Sequence, residues 1–309
     1  MLKIITTLSL LVSIGTVCIY DSPMAKENNL SLSGKLTFGE YRPILEESLG
    51  IVEVYLPGGQ KKKLFEGNFA WRHPSGNIVI NKGCGNFVNQ LEVIDNHSRP
   101  TIASPCSSEI NLPGDSKPLY ELSRLSPDKQ FIASEVKYNK NYFYDTAKIS
   151  TVLINNGRIK RVFDGFHSPE WLPDGRLLLA SDGIYITEIE GTPKKIDDGI
   201  LSSGPNNLDV DPAGKRIAFE WNQRIWIMDI DGSNLKEIAS GPATYRFPAW
   251  SPNGKHIAFV AFNSNSLSSI DRGIHFVEVD TGKYQYLDLS SSLGGAAGHV
   301  PYGPLSWTK

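Results

Sequence analysis

Four side chains stand out as groups that could hold one ligand between them: Glu121, His167, Asn206 and Arg246. A guanidinium presents a planar fork of donors that suits a carboxylate. A carboxylate, an imidazole and an amide beside it could orient the rest of a polar or anionic molecule. Each follows an aromatic residue or a proline, in Tyr120-Glu121, Phe166-His167, Pro205-Asn206 and Tyr245-Arg246, and Tyr302-Gly303 repeats the pattern without the polar group. No other spacing in the chain suggests catalysis. There is no Gly-x-Ser-x-Gly elbow, no His-Glu-x-x-His, no phosphate-binding glycine loop and no Cys-x-x-Cys. Gly199 to Gly204 is spaced wrongly for an elbow and reads as a loop. The histidines at 73, 97, 167, 256, 275 and 299 are scattered singly, and no cofactor is expected.

What places the four residues in register is a repeated phrase. It runs Trp71-Arg72-His73-Pro74-Ser75-Gly76, Leu125-Ser126-Pro127-Asp128-Lys129, Trp171-Leu172-Pro173-Asp174-Gly175, Val210-Asp211-Pro212-Ala213-Gly214 and Trp250-Ser251-Pro252-Asn253-Gly254. Its prolines recur every 39–53 residues, the period of propeller blades. In each copy an apolar residue ends one strand and a tight turn follows. Proline presets the turn dihedral, Asp or Asn bonds its own backbone, and Gly accepts positive φ. The strands that follow, such as Leu177-Leu178-Leu179-Ala180 and Ile257-Ala258-Phe259-Val260, are continuously apolar, as strands packed between blades should be. A third strand, as in Arg224 to Asp229 or Ile274 to Val279, and a short fourth complete a four-stranded antiparallel blade. Sustained helical periodicity is absent.

The twelve residues Pro248 to Phe259 nearly match the consensus Pro-x-Trp-Ser-Pro-Asp-Gly-Lys-x-Ile-Ala-Phe, and over about 34–309 the chain resembles the TolB-like propeller repeats. The resemblance implies an all-β, six-bladed propeller, often exported and used for protein contacts at the cell envelope. The α/β domain that precedes the propeller in TolB finds no counterpart, so the propeller alone is expected. Both ends of the chain carry half-phrases. Ser33 to Phe38 has the second half and Leu305 to Lys309 the first, so the termini are expected to share the sixth blade and remove its exposed edges.

Strand alternation puts the Pro-Asp-Gly turns on one face of the disc and nearly all long segments, 39–50, 104–118, 136–150, 262–273 and 288–300, on the other. Long loops on a rigid scaffold carry binding work. Aligned on Trp71, Leu125, Trp171, Val210, Trp250 and Trp307, the positions four before the anchor are Gly67, Glu121, His167, Asn206, Arg246 and Gly303. Five before it are Glu66, Tyr120, Phe166, Pro205, Tyr245 and Tyr302. The expectation is a funnel on the long-loop face with aromatic walls, whose ligand-binding set is Tyr120, Glu121, His167, Asn206, Tyr245, Arg246 and Tyr302. The plainer alternative is a polar mouth that only holds water. Cys84 and Cys106 fall on the same face, which makes them a disulfide candidate; two buried thiols are the alternative.

The 309 residues, 40% of them hydrophobic, suffice for one large domain, and 31 basic against 33 acidic residues leave no footprint for nucleic acid or an anionic membrane. Met1-Leu2-Lys3 followed by an apolar run from Ile4 to Tyr20 reads as a secretory signal, with residues 1–25 as signal peptide or uncleaved anchor and the propeller over 33–309. A membrane contact is expected only through that segment. A periplasmic or secreted monomer is expected, binding an envelope protein, a peptide or a polar or anionic ligand at the long-loop face without catalysis. A metal-dependent polysaccharide lyase of oligogalacturonate type, using histidines in the channel, is the alternative.

Overall fold

A computed structural model describes residues 30–42, 47–67, 69–85, 88–95, 97, 99–104, 106, 119–138, 148–197, 199–202, 204–262, 273–289 and 300–309. Among these, the regular structure is six four-stranded antiparallel sheets, the blades of a β-propeller. Innermost strands come first here. Blade 1 is Val300–Thr308, Gly34–Arg42, Glu47–Leu56 and Gln60–Phe65; blade 2 is Ala70–Arg72, Ile78–Gly85, Val88–Ile94 and Pro100–Ala103. Blade 3 is Leu119–Leu125, Ile132–Tyr138, Lys148–Asn155 and Arg158–Asp164; blade 4 is His167–Trp171, Leu177–Ala180, Ile184–Thr187 and Lys194–Lys195. Blade 5 is Asn206–Val210, Arg216–Trp221, Arg224–Asp229 and Lys236–Ala239; blade 6 is Thr244–Trp250, His256–Phe262, Gly273–Glu278 and Tyr284–Asp288.

The ring closes as the half-phrases require. Lys35 pairs with Thr308, Leu36 with Trp307 and Thr37 with Ser306, so one blade is built from both termini. The indole of Trp307 donates to the Ser33 carbonyl at 2.9 Å, and its ring lies edge-on to Phe276 of blade 6.

Cohesion sits between the blades rather than at the axis, and a separate apolar cluster fills each seam. Phe38, Val260 and Phe276 join blades 1 and 6; Ile51, Ile80 and Ile94 join blades 1 and 2; Leu91, Leu125 and Ile132 join blades 2 and 3. Leu153, Trp171 and Leu179 join blades 3 and 4, Leu178, Leu208 and Phe219 blades 4 and 5, and Ile225, Trp250 and Phe259 blades 5 and 6. Full burial of each such side chain is worth about 1.5–3 kcal/mol. This is why the second strands read as unbroken apolar runs: both of their faces meet a neighbouring blade.

Two expectations about loops change. The segment 39–50 is largely strand, because pairing continues from Gly39 with Ile51 to Arg42 with Glu47 across a bulge at Glu40/Tyr41. The segment 136–150 is likewise strand as far as Tyr138 and again from Lys148. Residues 43–46, 107–118, 139–147, 263–272 and 290–299 of the long-loop face lie outside the described residues, as does the proposed signal segment 1–25.

Candidate functional site at the long-loop mouth of the channel

Six inner strands surround the axis, and which of their residues face it is decided by a bulge. Register shifts interrupt the pairing between Tyr120 and Ser123, His167 and Glu170, Asn206 and Asp209, and Arg246 and Ala249. At the equivalent bulge position Ser168, Asn207 and Phe247 have φ of 49°, 50° and 57°. A bulge swings side chains by one place relative to plain alternation. The residues that ring the mouth are therefore those three before the strand end: Phe69, Leu122, Ser168, Asn207, Phe247 and Pro304. They surround a cavity of about 300 Å³.

The same step corrects the alignment in blade 2. Arg72 pairs with Ile78 and closes the turn with the His73 N–H on the Asn77 carbonyl, just as Trp171 pairs with Leu177 and Leu172 bonds Arg176. Arg72 rather than Trp71 thus occupies the strand-end place. Its N–H donates to Ser306 Oγ at 2.9 Å, as the N–H of Trp250 donates to Asp209 Oδ2 at 2.6 Å.

Of the residues singled out in the sequence, Glu121, Asn206 and Arg246 line this cavity. His167 is half-buried beside it, with Nδ1 3.2 Å from Ser168 Oγ, and burial, with Lys137 adding to it, lowers its pKa to about 4. At neutral pH it is an uncharged imidazole. The aromatic wall is not built by Tyr120 or Tyr245. Tyr120 is 0% exposed inside the blade 2–3 cluster and Tyr245 is 4% exposed inside the blade 5–6 cluster. The bulge that turns the third residue to the axis turns these rings into the seams. Tyr302 stands opposite Gly39 in blade 1, and its side chain lies outside the described residues, as does that of Cys84. The hydrophobic part of the mouth comes instead from Phe69, Leu122, Phe247 and Pro304.

Sequence reasoning missed the charges that hold this mouth together, which sit on the second strands. Glu220 accepts the Phe247 N–H and the Asn207 amide, each at 2.6 Å. Glu135 accepts the Ser168 N–H at 3.0 Å, and Ser168 Oγ accepts the Asn207 N–H at 3.0 Å. Each bulge amide is thereby tied to the preceding blade. The signal was present: Ile132-Ala133-Ser134-Glu135 and Ile217-Ala218-Phe219-Glu220 both end an apolar run on a carboxylate at the same distance from the turn. Burial drives Glu220 up to about 7. Burial likewise raises Glu121, although Lys137 opposes it. Lys137 binds Glu121 at 2.6 Å and lies 3.5 Å from Glu135; burial would lower its pKa, but the two carboxylates outweigh that and raise it.

Arg246 is the exception. It is exposed, its guanidinium rests over the Phe262 ring at 5.5 Å, and among the described residues it has no carboxylate within ion-pair distance. Its charge acts on the Glu220 carboxylate of the same cavity, opposing the effect of burial there, while Glu121 is engaged by Lys137. As for a shared metal site, no group of three or more His, Cys, Asp or Glu side chains that could hold a metal ion occurs among the described residues. His73 lies at the opposite end of the channel, and His299 is outside the described residues.

No known family model matches the chain. It is 24% identical over 242 residues to the Tol-Pal system protein TolB of Wigglesworthia glossinidia brevipalpis, an alignment covering 71% of this chain and 53% of that relative. The chain thus spans about half the length of the curated TolB. The crystal structure of TolB from Acinetobacter baumannii superposes with a TM-score of 0.63 at 15% identity, covering 89% of this chain and 67% of the other. A Pseudomonas aeruginosa periplasmic gluconolactonase superposes at 0.51 with 14% identity, covering 83% and 82%, and shares the fold alone. Turn phrase, blade count and these likenesses converge on one description: the chain is a TolB-like six-bladed β-propeller.

Proposed function

We propose that this protein is an exported, non-catalytic binding or scaffold propeller of the cell envelope, working in the periplasm or outside the cell. Its partner is an envelope protein or peptide, or another ligand presenting a carboxylate, received at the long-loop mouth. The observation that carries this reading is Arg246. It makes no ion pair among the described residues, at the rim of a cavity in which the neighbouring Lys137 is paired twice over. A carboxylate of the partner would complete Arg246, with Asn206 and Glu121 orienting its polar flanks. The likeness to TolB supports the envelope setting, and so does the apolar run from Ile4 to Tyr20. A Cys84–Cys106 bridge belongs to the same proposal, supported by the disulfide-bonded state of Cys106.

The test is capture of partners from envelope extract with the intact chain, then binding measurements with Arg246→Ala and with Asn156→Ala on the opposite face. Once the partner covers Arg246 the charge pair is desolvated, and losing one member then costs about 2–5 kcal/mol, so the first variant should bind at least tenfold more weakly and the second as the parent does. Equal losses in both, or loss only in Asn156→Ala, would move the site elsewhere.

A further inference from the structure

The opposite end of the channel, where the Pro-Asp-Gly turns lie, opens into a wider funnel of about 540 Å³. Its rim carries Pro74, Pro127, Pro173, Pro212 and Pro252, most of them exposed, which makes an apolar collar of residues from five blades. Trp171 and Trp250 form part of the wall below. Toward the floor, Ser306, Trp71, Glu170 and Asp209 of blades 1, 2, 4 and 5 line the funnel as a belt at equivalent inner-strand positions, and Arg124 holds that position, buried, in blade 3.

Where blades 2, 3 and 4 meet, the belt is matched. The Arg124 guanidinium lies over the Trp71 ring at 5.3 Å and binds Glu170 at 2.6 Å, both partners buried. At the seam of blades 4 and 5 the match fails, because the neighbour of Glu170 is a second acid, Asp209. One oxygen of Asp209 accepts the Trp250 N–H at 2.6 Å, while the other has no hydrogen-bond partner among the described residues. Burial first, and the nearby Glu170 second, hold the Asp209 carboxyl well above the ordinary carboxylate range. One cation, Arg124, therefore serves two acids.

We propose that this funnel is a second binding site, distinct from the long-loop mouth, which takes a lysine or arginine side chain of a peptide, its charged nitrogen on Asp209 and Glu170 and its stem against Trp171, Trp250 and the prolines. A cation relieves the like-charge contact that the belt leaves unresolved. The Trp171 face adds attraction for a desolvated cation, whereas the Trp250 ring already carries Arg216 at 4.4 Å and contributes apolar contact. An organic cation fits better than a metal ion, because the third acid at this end, Asp211, is already taken by the Arg216 side chain and by the Lys215 and Arg216 N–H groups, and no group of three His, Cys, Asp or Glu able to hold a metal occurs among the described residues. A side chain also fits better than a free polyamine: an apolar collar above an acidic floor suits a charge carried on an apolar stem, with the adjoining peptide lying on the prolines.

The experiment titrates three probes into the full chain by calorimetry: the end-blocked peptide Gly-Gly-Lys-Gly-Gly, its counterpart with norleucine in place of lysine, and spermidine. The lysyl peptide should bind saturably and at least tenfold tighter than the neutral one. Asp209→Asn keeps an acceptor for the Trp250 N–H but removes the acid, and it should weaken the lysyl peptide at least tenfold at a melting temperature no lower than the parent's. Should that variant fold poorly, NMR contacts in the unaltered chain decide: the lysine methylenes must lie against the Trp171 or Trp250 indole. Equal binding of the norleucine peptide, undiminished binding to Asp209→Asn, contacts elsewhere, or binding of spermidine without the peptide would each overturn the proposal.

Discussion

At the scale of single residues, Glu220 shows how one carboxylate can be structural and costly at once. It anchors two blade 6 and blade 5 groups, the Phe247 N–H and the Asn207 amide, yet burial raises its pKa from 4.5 to about 7. Between those values the folded protein keeps a proton that the unfolded chain has released. Stability therefore falls as pH rises from about 4.5 to 7, by up to about 3 kcal/mol from this group. Glu220→Gln removes the titration while keeping an acceptor. Its urea midpoint should change less across this window than the parent's, and parallel pH profiles would refute the assignment. The Arg124–Glu170 pair makes the opposite point. Both partners are buried, so removing the cation alone, as in Arg124→Met, leaves Glu170 and Asp209 without their counter-charge and should cost about 3–5 kcal/mol. The double variant Arg124→Met with Glu170→Leu should lose much less, and a double-mutant cycle of denaturation midpoints measures the difference.

At the scale of the element, the inner strand is the unit that makes the site, and its bulge is the device. Ser168 stands at φ 49° and is buried, with its hydroxyl accepting the Asn207 N–H across the blade 4–5 seam. A β-branched side chain resists that backbone conformation, and valine also cannot accept the bond. Ser168→Val should lose about 1–3 kcal/mol to backbone strain and a further 1–3 to the orphaned N–H. Ser168→Gly relaxes the backbone and forfeits the hydroxyl's bonds to Asn207 and His167, so it should be the milder change in chemical denaturation. The reverse order would mean that the bulge is not strained. Plain alternation along these strands, as the sequence suggests it, places Tyr120 and Tyr245 at the mouth. The bulge puts them in the seams and brings Ser168, Asn207 and Phe247 inward. Nothing in His167-Ser168-Pro169-Glu170 announces this locally, since the bulge is set by the carboxylates of the preceding blade that receive its amides.

At the scale of the whole molecule, closure is the decisive event, because each blade buries its apolar faces only when both neighbours are in place. Deleting Pro304 to Lys309 removes the strand end that pairs with Lys35 to Thr37 and takes Trp307 out of the blade 1–6 cluster. Loss of a buried tryptophan alone costs about 3–5 kcal/mol. The truncated chain should melt many degrees lower, and a melting point within a degree or two of the parent would contradict closure by the termini. The blade count, the turn type and this closure were legible in the amino-acid sequence, since the Pro-Asp-Gly phrase acts through short-range dihedral preferences and recurs at a fixed place in every blade. That Glu121, Asn206 and Arg246 approach one mouth was legible for the same reason: they hold equivalent positions in the repeat. Only the tertiary structure decided that Arg72 takes the place expected of Trp71, that Lys137 claims Glu121 while Arg246 makes no ion pair among the described residues, and that Glu170 and Asp209 meet across a seam. The meeting of Glu170 and Asp209 depends on a contact between blades about 40 residues apart, and the other two on strand register within a blade, which packing sets and local preference does not.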